Sequence, residues 1–122
     1  MEVSIETLAR VKQLAWHKTS VDFRQCLNVT EIYAHLRVHL TDEQAEKLLS
    51  ENVRTSKIDQ LMEWLPAKGD TWFEDFVGIL RKTTDGTGHA TIIDALQRNL
   101  YEVCEENKVP KAKFSGDHES FN

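Results

Sequence analysis

The chain has 122 residues, 40% of them hydrophobic, and 15 Lys and Arg stand against 20 Asp and Glu for a formal net charge of −5. That length supports one core burying roughly two-thirds of the surface an unfolded chain exposes. The acidic balance does not suit a chain that neutralises many phosphates, so direct nucleic-acid binding is not expected.

The N-terminal MEVSIETLARVKQ scatters its charges, with no apolar run behind a basic one, and no stretch approaches the roughly 18 apolar residues of a membrane span. Neither a leader nor membrane insertion by this chain is expected. Only Pro66 and Pro110 occur as prolines and the glycines fall mostly at segment ends, a punctuation that suits short helices. From Ile5 to Leu27 the apolar residues Leu8, Val11, Leu14, Ala15, Trp16, Phe23 and Leu27 keep helical spacing, with a bend at Thr19 and Ser20. Asn28 opens a second segment through a capping box with Glu31, and Val29, Ile32, Tyr33 and Leu36 form its buried stripe.

A second capping box, Thr41 with Gln44, starts a third segment that buries Ala45, Leu48 and Leu49. Thr55 or Ser56 caps a fourth, with Ile58, Leu61, Met62 and Leu65 inside, ended by Pro66 and Gly69. Asp70 opens a fifth, the most apolar, with Phe73, Phe76, Val77 and Leu80 inward and Trp72 and Ile79 beside them. After the loop Thr83 to Gly88, residues Ile92, Ile93, Leu96, Leu100 and Val103 mark a sixth. Residues 107–122 show no periodicity, so a flexible tail is expected after a single all-α domain spanning 1–106.

No constellation suited to catalysis appears. Cys26 and Cys104 lie far apart without metal-ligand spacing and read as reduced thiols, used for packing, in a cytoplasmic protein. His35 and His39 stand four apart but lack a third ligand and an intervening glutamate, so they read as rim histidines at a helix end. His17, His89 and His118 are isolated. The loop from Thr83 to His89 lacks the strand before it and the GK[ST] ending of a phosphate loop. No metal or other cofactor is expected.

Charges remain. Arg10, His17 and Arg24 recur every seven residues along the first segment, and Arg54 and Lys57 stand at the entrance to the fourth. Asp42, Glu43 and Glu46 cluster on the third, with Glu31 on the second and Glu74 and Asp75 on the fifth. These are either solvated helix faces or the halves of a two-signed surface, basic on one side and acidic on another, that docks head to tail with its like.

The succession LTDEQAEKL (40–48), KIDQLMEWL (57–65), KGDTWFEDF (68–76) and Ile79-Leu80 resembles the caspase recruitment domain (CARD) family. The match runs from about Leu8 to Leu100 and rests on apolar positions rather than on a catalytic signature. Trp72-Phe73, Phe76 and Leu80-Arg-Lys-Thr83 are similar to the CARDs of cytosolic viral-RNA sensors. FRQCLNVTEI (23–32) with Leu40-Thr41 is similar to the mitochondrial antiviral signalling adaptor. Those sensors carry two such domains in tandem, whereas this sequence shows one.

The resemblance implies an antiparallel six-helix Greek-key bundle of the death fold, bent in its first helix. It implies a non-enzymatic module for homotypic CARD-CARD binding in antiviral or apoptotic signalling, with other CARDs as partners and self-association into helical oligomers. Carried over, Arg10, Arg24, Arg54 and Lys57 form a basic face and Glu31, Asp42, Glu43 and Glu46 an acidic one, while Trp72 serves a second contact. Two other readings fit the same resemblance. One is the prodomain of a caspase, although no QACxG nucleophile motif is present; the other is a CARD-like domain that touches RNA.

Overall fold

Ser4 begins the first helix by accepting the Thr7 N–H on its hydroxyl at 3.1 Å, which satisfies one donor that the helix start leaves unpaired. The computed structural model describes residues 4–69 and 71–110. Among them stand seven α-helices: α1 (Ile5–Lys18), α2 (Ser20–Cys26), α3 (Val29–Leu36), α4 (Asp42–Ser50), α5 (Arg54–Trp64), α6 (Trp72–Lys82) and α7 (His89–Glu106). Short 3-10 turns follow α3 at Arg37–His39 and α5 at Leu65–Ala67. The all-α expectation holds for these residues. No described helix is long and apolar enough to cross a membrane.

The expected bend in the first segment is a full break, so seven helices replace the predicted six. Its cause is Thr19, a buried polar residue whose hydroxyl donates back to the Ala15 carbonyl at 2.8 Å and accepts from Asn99 Nδ2 at 2.9 Å. A hydroxyl that back-bonds within a helix bends it, and Asn99 pins the bend onto α7. The stripe through Arg10, His17 and Arg24 is therefore interrupted, because Arg24 belongs to a different helix from Arg10.

Helix α7 lies against α1, α2 and α6, and α3 lies against α5 and α6. At the centre Trp16 meets Phe23 at 4.6 Å between ring centroids and meets Trp72 and Phe76 edge-on at 5.0 Å each. Edge-to-face geometry suits the ring quadrupoles. A Lys12–Glu74 ion pair at 2.6 Å ties α1 to α6.

Several local expectations change. Trp72 is only 6% exposed, so its ring is part of the core and does not offer the second surface contact. Leu49 was expected inside but is 61% exposed, and Leu14 also reaches solvent. The fourth segment starts at Arg54 after Val53, not at Thr55 or Ser56. The Thr41–Gln44 capping box forms as expected. Asn28 makes only half of its predicted box, accepting the Glu31 N–H at 3.1 Å. Asp70, the predicted opener of α6, and residues 111–122 of the expected tail lie outside the described residues.

The first residues assigned to that tail belong to the domain. Val109 is buried, and its N–H reaches the Cys104 carbonyl at 2.8 Å. This is the long bond of a Schellman-type helix end, with Lys108 in the left-handed conformation at φ 57°.

Gly88 closes the loop before α7 and meets Cys26 so tightly that a Cβ there would sit 2.9 Å from the Cys26 Cβ. Its φ is negative, so space and not backbone freedom demands glycine. Gly88→Ala is expected to destabilise the domain by about 1–3 kcal/mol, as overpacking does. Urea unfolding measures this; Cys26→Ala, which keeps the Cβ, should bring no rescue. An unchanged midpoint for Gly88→Ala would count against the tight contact.

Candidate interaction surface

Helix α2 ends by leaving carbonyls without helical partners, and a cation placed there is favoured by the helix dipole. Arg54, the first residue of α5, supplies it: its guanidinium donates to the Leu27 carbonyl at 2.7 Å and to the Arg24 carbonyl. Arg24 itself extends outward and pairs with Asp59 of α5 at 2.7 Å. Both partners are half exposed, so this pair is worth no more than about 1 kcal/mol. Lys57 stands one turn after Arg54.

Together these elements frame a cleft of about 450 Å³, lined by Gln25 to Thr30, Asn52, Arg54 and Lys57. Among the described residues no ion pair engages Lys57. Two of the four predicted basic residues, Arg54 and Lys57, thus line this cleft at the junction of α2, α3 and α5, while the Arg24 side chain lies on Asp59. Arg10 does not join them; it is an exposed residue of α1.

The predicted acidic residues divide differently. Glu43 and Glu46, one turn apart on α4, line an open shelf of about 620 Å³ with Lys47, Leu49 and Ser50. Asp42 is taken up by Arg37, which also donates to the Leu40 carbonyl at 3.0 Å, so this carboxylate braces the turn into α4. Glu31 rises from the first turn of α3, beside Asn28, Val29 and Thr30 of the basic cleft. The two patches are not far apart. Ser50 rims the shelf and Asn52 rims the cleft, and at about 3.5 Å per residue at most their rims lie within roughly 7 Å.

Sequence reasoning missed His89. It is fully buried, with Nε2 accepting the Asn28 N–H at 2.9 Å and Nδ1 2.8 Å from the Thr83 hydroxyl. A main-chain N–H can only donate, so the ring proton sits on Nδ1 and donates to Thr83, whose hydroxyl donates on to the Ile79 carbonyl at 2.9 Å. Burial holds its pKa below the ordinary 6.5. His89 therefore supplies the partner that Glu31 was expected to give Asn28, and it fixes the α3 start that walls the cleft. It adjoins Cys26 through Gly88, yet both ring nitrogens are committed, so it cannot take a thiol proton without breaking one of these bonds.

His35 and His39 are not an i, i+4 helical pair: α3 ends at Leu36 and His39 sits in the following 3-10 turn. Among the described residues no group of three or more His, Cys, Asp or Glu is placed to hold a metal ion. The arrangement offers charge and shape for binding. No protein-family model, curated protein or solved structure matches this chain.

Proposed function

We propose that this chain is a caspase recruitment domain, with α1 and α2 together as the bent first helix of a six-helix Greek-key bundle. Its work is to bind other CARDs, its own copies included, in antiviral or apoptotic signalling, with no catalysis of its own. The observation that carries this reading is the placing of charge: Lys57 stands with Arg54 at one cleft, while Glu43 and Glu46 stand with Lys47 on the α4 shelf. Half-buried Lys57 and exposed Glu43 and Glu46 meet no opposite charge in an ion pair among the described residues, and such charges serve partner choice and association rate more than folding.

Lys57 and Glu46 give the cleanest test, since Arg24, Arg54 and Asp42 already have partners within the chain. Lys57→Glu and Glu46→Lys should each weaken self-association, or capture of a panel of isolated CARDs, by at least about tenfold. Mixing the two variants should restore it. Binding should also weaken with added salt, which screens exposed charges beyond about 10 Å at 0.1 M. Size-exclusion chromatography measures the association, and circular dichroism verifies the helices. Association indifferent to both reversals would refute the assignment.

A further inference from the structure

We infer that His89 is a proton-operated latch on the cleft: as neutral imidazole it holds the cleft wall in the shape a partner binds, and on taking up a proton it lets that wall go. This rests on the association proposed above and adds its regulation. Leu27 and Asn28 are part of the wall, and the peptide group between them is held at both ends. Arg54 of α5 donates to its carbonyl at 2.7 Å, and its N–H donates to His89 Nε2 at 2.9 Å. A cation on the oxygen polarises the peptide and strengthens its N–H as a donor, so the two bonds support each other. Gly88, next to His89, also lies against Cys26 of the wall.

Only one of the two bonds is titratable. Arginine stays charged in proteins, whereas an imidazolium donates from both nitrogens and leaves the Asn28 N–H facing a second donor. Nδ1 already donates to the Thr83 hydroxyl at 2.8 Å and continues to do so, which puts the break at Asn28, on the cleft. Asn28 also caps α3 by accepting the Glu31 N–H at 3.1 Å, so the start of α3 moves with it. Glu31 of α3 and the hydrogen bond at Thr83, the end of α6, favour the proton, and burial opposes it. Arg54 of α5 stands across the peptide group, and Cys26 of α2 brings a thiol against Gly88. The cleft is therefore set for binding near neutral pH and released in acid.

An NMR titration of the dilute full chain from about pH 7.5 to about pH 5 tests this, with association measured at both ends of that range. The Asn28 amide and the His89 ring should shift with one midpoint while far-ultraviolet circular dichroism stays constant. Self-association, or capture of the panel of isolated CARDs, should weaken at least about threefold as the competent form is depleted. His89→Gln, which accepts the Asn28 N–H without titrating, should lose that pH dependence. An Asn28 amide that stays fixed while the ring titrates overturns the inference, as does a ring still neutral at the acid end or equal weakening in His89→Gln. Should the glutamine variant not fold, the Asn28 amide and the ring of the parent decide alone. Association that Lys57→Glu abolishes and acid leaves untouched removes the latch and keeps the proposed function. A chain that associates at neither pH, with itself or with the panel, removes both.

Discussion

Replacing Trp16 with alanine is expected to cost about 3–5 kcal/mol, the range for deleting a large aromatic from a packed core. That is a large share of the about 5–15 kcal/mol that holds a small domain together. Trp16 is where α1 and α2 meet α6: its ring packs on Phe23, Trp72 and Phe76. Its Nε1–H also donates to the Met62 carbonyl of α5 at 3.1 Å. Alanine leaves a cavity and strips that carbonyl of its donor, two losses that add. Trp16→Phe keeps an aromatic edge but not the donor, so it should fall between the parent and alanine. Urea unfolding followed by far-ultraviolet circular dichroism ranks the three. A loss below about 1 kcal/mol for alanine would mean that Trp16 is not the hub its contacts describe.

Helix identity was legible because each segment repeats apolar residues at the helical period, and a stripe such as Ile58, Leu61 and Leu65 has only one way to face inward. What escaped depended on partners distant in sequence. Trp72 and Phe73 are adjacent, so periodicity assigns only one of them to the core; both are buried because Trp16 covers the start of α6. Leu49 shows the reverse. Helix α4 is short and buries only a narrow stripe, Ala45 and Leu48, which turns the next residue outward. The break at Thr19 could be read as a bend, but Asn99, which holds it, lies 80 residues away.

The charged surface was legible by residue type and not by role. Arg54 and Lys57 read alike in sequence, yet the first holds the α2 carbonyls while the second reaches no acidic partner among the described residues. Asp42 and Glu43 are neighbours with the same separation of duties. Only three-dimensional pairing divides charges engaged within the fold from those that meet no opposite charge in an ion pair among the described residues. That division directs mutagenesis to Lys57 and Glu46.

Stability should fall as pH drops below about 6.5, and His89 should be the reason. Burial lowers its pKa in the folded chain, opposed by the raising influences of its hydrogen bond at Thr83 and the nearby Glu31 charge. The unfolded chain therefore binds a proton that the folded chain refuses. Linkage then makes stability rise with pH across the window between the lowered folded value and 6.5. The contribution is fully present above 6.5, declines by at most about 1.4 kcal/mol per pH unit below it, and is gone beneath the folded value. Protonation would place a hydrogen on Nε2 against the Asn28 N–H, so the first contact to fail is the one that fixes the start of α3. His89→Gln can still accept the Asn28 N–H but cannot titrate. Urea midpoints measured between about pH 7.5 and 5, the range in which histidine changes charge, should fall for the parent and stay nearly level for this variant. Parallel curves would assign the acid sensitivity to the exposed histidines or the carboxylates. A level curve for the parent would mean that His89 keeps its ordinary affinity for protons despite its burial.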